Sequence, residues 1–375
     1  MAGDISQIAV VAKNEMIKCV RGRKFMISLA IVLLVFLLIT GLQLLIGTWD
    51  NMKDIGALID VYIDSLPMII VLVVALLSSI AIVSEFEERT ALILFTRPVR
   101  RTSIFIGKLL ACTIIEAMII LTYYILVIIV GVIKIGSVPI DFFTSFAFAA
   151  LYAFAASGIA FIISSFFKKG SVCTVVSILL LIVIFPIISA MMTTDGGDNW
   201  FMMDQASDTI YTSIPEYVDR YNENIEQFDN VIQSAVDILK GFTDESLSKG
   251  IGWIAMQIFS PEFFLLDEKT QTLVIQSVFS GYSDAMDQYE QYFDPDYFAL
   301  PDHTTQVSVM RVFTFLTMTA DGNLSGMIRV LEMLSNMSAL QPIEYPDLVK
   351  NALVLIVWAI VGYFIAWARF IKKEF

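Results

Sequence analysis

The sequence predicts an all-α integral membrane protein. Six transmembrane helices cross the bilayer, the N- and C-termini are cytoplasmic, and a helical extracytoplasmic domain lies between helices five and six. Three observations carry this expectation. The chain is 57% hydrophobic and only 16% charged, where a soluble domain is nearer a quarter charged. Its apolar residues gather into runs long enough to span a bilayer. Its basic residues gather in alternate connectors between those runs.

Residues 1–24 carry Asp4, Lys13, Glu15 and Lys18, which interrupt any leader-like apolar core. Ile5, Ile8, Ala12, Met16 and Cys19 recur at helical spacing, so this segment reads as an amphipathic interfacial helix. The run 25–47 has no charge in 23 residues. At ~1.5 Å per residue it covers a ~30 Å hydrocarbon core with some tilt. Further spans are expected at 66–83, 108–133, 142–167, 171–192 and 348–368. The domain plan is therefore 1–24 interfacial helix, 25–192 helices one to five, 193–346 acidic helical extracytoplasmic domain, and 347–375 helix six with a basic tail.

Fifteen of the 24 basic residues fall on one side of this scheme: before the first span, between spans two and three, at Lys168 and Lys169, and after span six. The connectors 48–65 and 134–141 hold only Lys53 and Lys134. The basic side is thereby expected to be cytoplasmic. Residues 193–347 hold 25 acids and 6 bases, so the net charge of −13 belongs to that one segment. Such acidity keeps a domain soluble and argues against nucleic acid as a partner. Cys19, Cys112 and Cys173 all lie outside it, so it is expected to stand without disulfides.

Within 193–346 a long helix is expected from Pro215 to Gly241, with others at 260–279, 284–293, 305–319 and 323–339. His303 is the only histidine, so no histidine-based metal site can form in one chain. The many methionines could hold Cu(I), but their spacing fits helix cores better, and no metal is expected. Asn323 and Asn336 each begin a glycosylation triplet. No nucleophile, acid–base or zinc-protease motif stands out, so the chain is not read as an enzyme.

Glu116 is the one ionisable residue deep within a span, about 12 Å of helix from Lys108. Buried carboxylates in membranes face a bundle interior or a pathway. Glu116 could line a translocation route or exchange a proton, or it could make a structural hydrogen bond. Ala149, Ala153 and Ser157, with Ala156, Ala160 and Ser164 beside them, give the fourth span a small-residue face for close helix packing. Pro186 is expected to kink the fifth.

The segment 84–108, SEFEERTALILFTRPVRRTSIFIGK, joins spans two and three and is too long for a turn. It presents charge together with an apolar face (Phe86, Leu92, Ile93, Phe95), a combination suited to a protein interface. Glu85, Glu88, Thr90, Leu92, Leu94, Pro98, Val99, Arg101, Gly107 and Lys108 follow a pattern E…E-x-G-T-(apolar)-P-V-x-R…G-K. In that order and topological place, the segment resembles the membrane permeases of the type-2 ABC exporter (ABC-2 type) family. Arg89 stands where that pattern has Gly, and 193–346 is larger than the segment many relatives place there.

The resemblance implies a coupling segment at 84–102 seated on a separate ABC ATPase subunit, through Glu85, Glu87, Glu88, Arg89, Thr90, Leu92, Arg97, Pro98 and Arg101. ATP and magnesium would sit on that partner, with no cofactor in this chain. The only Gly-Lys pair is Gly107–Lys108, followed by Leu109, so no P-loop is present. The expectation is a permease subunit of an ATP-binding cassette transporter in the cell membrane. It would export a substrate, paired with a second permease copy or paralogue in the lipid bilayer. Two other classes stay open: a non-transporting scaffold or sensor with an extracytoplasmic ligand- or partner-binding domain, and a proton-coupled secondary transporter.

Overall fold

The computed structural model describes residues 4–87, 100–194, 199–240 and 342–372. Among these the secondary structure is helical, with no strand. The chain divides into two compact units, Met1–Arg220 with Glu344–Phe375, and Tyr221–Ile343. In the second unit the described residues continue helix Pro215–Lys240, and Asn222 pairs both its amide groups with the backbone of Ile343 at 2.8 and 3.0 Å. The division falls well inside the expected 193–346 domain. The reason is burial: Met203, Ala206, Ile210, Ile214 and Val218 join the core of the first unit.

Six helical segments among the described residues are long and apolar enough to cross a bilayer: Arg23–Ile46, Ile55–Glu85, Arg101–Lys134, Phe142–Phe166, Gly170–Met192 and Leu348–Lys372. Ahead of them α1 (Asp4–Arg21) ends in a short bend at Gly22, after which α2 (Arg23–Ile46) begins. The α1 helix lies against the start of the third span. A Cβ at Gly107 would stand 2.6 Å from Val11 Cγ1, so glycine is what permits that approach.

The second span begins at Ile55, eleven residues before the expected start, because the Asp54 carboxylate caps α3 (Ile55–Tyr62) by accepting from Ala57 N at 2.7 Å. It is broken twice. The first break separates α3 from α4 (Leu66–Leu77), and the Tyr123 hydroxyl donates to the Tyr62 carbonyl there at 2.7 Å. The second is a 3₁₀ turn, Ser78–Ile80, before the short α5 (Val83–Glu87). Ser164 Oγ accepts from both Ile82 N and Val83 N at 3.0 Å, so the backbone donors freed by the break are satisfied inside the bundle.

The third span, α6 (Arg101–Lys134), is a single 34-residue helix reaching about 51 Å. It starts at Arg101 rather than 108. The fourth, α7 (Phe142–Phe166), buries its small-residue face as expected. The fifth runs as α8 (Gly170–Ile178), a π turn at Leu179–Ile184, and α9 (Phe185–Thr194). Pro186 explains the π turn, since its ring denies room and a donor to the ordinary ladder one turn earlier. Short helices α10 (Met203–Ser207) and α11 (Thr209–Thr212) close the end of the bundle remote from α1. There Asn351 donates to Thr209 Oγ1 at 2.7 Å and Ser145 donates to the Ile210 carbonyl at 2.5 Å.

After α12 (Pro215–Lys240), the sixth span is α13 (Leu348–Lys372). It crosses α7 where two glycines meet: a Cβ on Gly362 would lie 2.8 Å from the carbonyl carbon of Gly158. Ser157 and Tyr363 exchange a hydroxyl hydrogen bond at the same crossing. This close approach is the packing use of small residues in membrane helices. The helices expected at 260–279, 284–293, 305–319 and 323–339, His303, Asn323 and Asn336 lie outside the described residues.

Candidate functional site

Both margins of the 84–102 segment are described, and both are helical. Glu85 and Glu87 sit on α5, at the end of the second span, while Arg101 opens α6. Glu88, Arg89, Thr90, Leu92, Arg97 and Pro98 lie outside the described residues. The observable part of the site is therefore how its two ends are fastened.

Glu85 is buried, with 7% of its surface exposed. Its carboxylate accepts from Lys108 Nζ at 2.8 Å and Lys18 Nζ at 3.2 Å. Lys108 is itself buried and also donates to Glu15 at 2.9 Å. Glu15 and Lys18 come from α1, Lys108 from α6 and Glu85 from α5. One charge cluster thus binds three helices. A buried lysine needs such partners, because desolvating an ammonium without them costs several kcal/mol, ~3–5 by the removal of one partner. Beside the cluster, the Cys19 thiol pKa is pushed up, first by burial and then by Glu15.

Glu87 is exposed and turns to the fifth span. Its Oε2 accepts from Gly170 N at 3.1 Å, at the first turn of α8. A carboxylate at a helix N-terminus satisfies free N–H groups and meets the positive end of the dipole, worth ~0.3–1 kcal/mol. At the other margin Arg101 donates to the Ile371 carbonyl at 2.9 Å, capping the last turn of α13, and Trp367 Nε1 reaches Thr102 Oγ1 at 3.4 Å. The connector 88–99 is thus anchored, at its two ends, to α1, α6, α8 and α13.

Glu116 lies 15 residues into α6, wholly buried. Ser78 Oγ donates to its Oε1 at 2.6 Å, and its Oε2 has no hydrogen-bond partner among the described residues. Ser78 is the first residue of the 3₁₀ break in the second span. Next to it Ser79 Oγ meets Thr174 Oγ1 of α8 at 3.1 Å. The carboxyl therefore sits against a break in the helix that leads directly to Glu85 and Glu87.

Of the expected site residues, Glu85, Glu87 and Arg101 converge at one end of the bundle, while Glu116 stands deeper within it. Glu85 faces inward, so its position is that of a structural tie. Glu15, Lys18, Ser78 and Ser164 were not expected at the site, and Lys108 stood in the quoted pattern but not among the docking residues. The available signal for Lys108 was a lysine following a glycine within a helix-long apolar run, which favours an interior partner over a loop. No group of three or more metal-ligating side chains occurs among the described residues.

Residues 9–200 match the family model described as ABC-2 family transporter protein, more than half of the 375-residue chain. No match to a curated protein sequence accompanies it. The match covers most of α1, the first five spans and the whole of the 84–102 segment. The chain belongs to the ABC-2 family of transporter proteins and is a multi-pass permease of the cell membrane.

Proposed function

We propose that the chain is the permease subunit of an ABC exporter and that a separate ATPase, carrying ATP and magnesium, docks on residues 84–102. The α1 end of the bundle then faces the cytoplasm, in keeping with the basic residues there. The acidic residues between spans five and six face out. Two permease chains, identical or paralogous, complete the path for an amphipathic, peptide, lipid-like or drug-like substrate.

The observation that supports this reading best is the fastening of the segment's two ends. Glu85 is tied to α1 and α6, Glu87 to α8, and Arg101 to α13. A push delivered at these two ends meets fastened helices. It is passed to four helices, which is how rigid-body motion is transmitted through packed elements. Glu88, Arg89, Thr90, Leu92, Arg97 and Pro98 are assigned to the partner contact, and Glu85 to holding the segment's root. Glu116 and Ser78 would form the yielding point of the second span, opening toward the pathway when the segment moves.

The test is co-purification of the chain with the products of its natural neighbours, followed by assay of ATPase activity. Glu88→Arg with Arg97→Glu should release a P-loop ATPase while the permease stays folded. Inside-out vesicles should accumulate substrate only with ATP. Retention of the ATPase by the charge-reversed chain overturns the docking assignment. Absence of any ATPase from the wild-type preparation favours the scaffold or sensor reading instead.

A further inference from the structure

At the end of the bundle remote from α1, a groove of about 470 Å³ runs between residues Trp200–Phe201 and the first three turns of α13. That is within the ~300–1,000 Å³ of sites that hold small ligands. Trp200, Leu353, Val357 and Trp358 give it apolar walls. Both sides are held in place: Trp358 Nε1 donates to the Phe201 carbonyl at 2.8 Å, and Lys350 Nζ rests 5.2 Å from the centre of the Trp200 ring.

The two charges at its mouth are not equivalent. Asp347 accepts from Val349 N and Lys350 N at 3.1 and 3.0 Å, so its carboxylate is engaged in capping α13. Lys350 is exposed and, among the described residues, has no carboxylate within ion-pair range. It stands in the first turn of a helix long and apolar enough to span a bilayer, the part of such a helix that meets the headgroup layer. Trp358 lies eight residues further along α13, about 12 Å deeper. With the Asp347 carboxylate turned to the N–H groups of α13, Lys350 is the charge left to meet a ligand above an aromatic, apolar slot, which suits an anionic head on a hydrocarbon chain.

We propose that this groove is a binding site for one anionic phospholipid, its phosphate on Lys350 and an acyl chain along Leu353, Val357 and Trp358. The cation–π contact with Trp200 holds the ammonium at the mouth without neutralising it. A lysine near a membrane surface attracts anionic headgroups by about 1 kcal/mol.

The test uses the full chain with Trp49, Trp253 and Trp367 replaced by phenylalanine, leaving Trp200 and Trp358 as reporters. It is reconstituted in phosphatidylcholine vesicles containing a small fraction of acyl-brominated phosphatidylglycerol or, separately, acyl-brominated phosphatidylcholine. Tryptophan quenching should favour phosphatidylglycerol about fivefold, the preference one lysine confers near an interface. Lys350→Gln should equalise the two lipids, and Lys350→Arg should keep the preference. Equal quenching in the wild type, or a preference that survives Lys350→Gln, overturns the proposal. So does the absence of quenching by either lipid, which would mean that protein, such as a second copy of the chain, covers the groove.

Discussion

The ammonium of Lys108 lies 2.8 Å from the carboxylate of Glu85, across 23 residues of sequence and wholly inside the protein. This contact joins the end of the second span to the start of the third. Because Glu15 and Lys18 share it, α1 becomes part of the same unit. The amphipathic helix is thereby bound to the moving part of the proposed mechanism.

Lys108→Met should be among the most destabilising single changes at this end. It leaves Glu15 and Glu85 without their shared cation, a loss of ~3–5 kcal/mol for breaking a buried pair. Lys108→Met combined with Glu85→Gln should recover part of that loss. Thermal melts of the four chains in detergent check it, and strict additivity of the two single effects would rule out the cluster.

The bond from Ser78 to Glu116 should appear as coupling between the two side chains. Ser78→Ala and Glu116→Gln each remove part of a hydrogen bond to a carboxyl group, worth ~1.5–3 kcal/mol if charged and nearer ~1 if neutral. The double variant should lose less stability than the sum of the single ones. If Glu116 is also the yielding point of the second span, Glu116→Gln should change ATPase stimulation by substrate at constant partner affinity. Additive melting shifts and unchanged stimulation would leave Glu116 with neither role.

Three glycines should respond in a fixed order. Gly362→Ala drives a methyl group to within 2.8 Å of the Gly158 backbone, and neither helix can yield by moving a side chain. Overpacking of this kind costs ~1–3 kcal/mol. Gly158→Ala meets the Ala359 carbonyl at 3.3 Å and should cost less. Gly41 has nothing within 4 Å of an added Cβ, so Gly41→Ala should stabilise α2 by ~0.5–1 kcal/mol. Melting temperatures in any other order would contradict the crossing of α7 on α13.

What could be read from the chain follows from the range of each signal. The spans were legible because lipid demands apolar runs of about 20 residues, and Pro186 because its consequence is local. The breaks in the second span were not legible. Ser65, Ser78 and Ser79 scarcely lower the hydropathy of the run, and the groups that satisfy the breaks, Tyr123 and Ser164, come from other helices. Lys108 read as a loop base because its partners Glu15 and Glu85 are distant in sequence. Glu116 was legible as a buried carboxyl, but its partner Ser78 was not. Residues 199–220 read as part of the acidic domain because Asp204, Asp208, Glu216 and Asp219 mask an apolar face that the bundle buries.

Asp208, at the junction of α10 and α11, should make stability depend on pH in a defined direction. Burial raises its pKa from 3.8 to about 7, the nearby carboxylates of Asp204 and Asp64 add to the rise, and the Tyr211 hydroxyl opposes it. The folded protein thus keeps this proton where the unfolded chain has lost it. Below about pH 4 both states hold the proton and the residue has no effect. Between about pH 4 and about pH 7 stability falls, by at most ~1.4 kcal/mol per pH unit from this group, and above that range the cost is complete. Asp208→Asn removes the ionisation while keeping an acceptor for Tyr211. It should melt higher than the wild type near pH 8, and the gap should close near pH 4. A gap of the same size at both would show that the change acts through packing, and that Asp208 does not titrate as its burial requires.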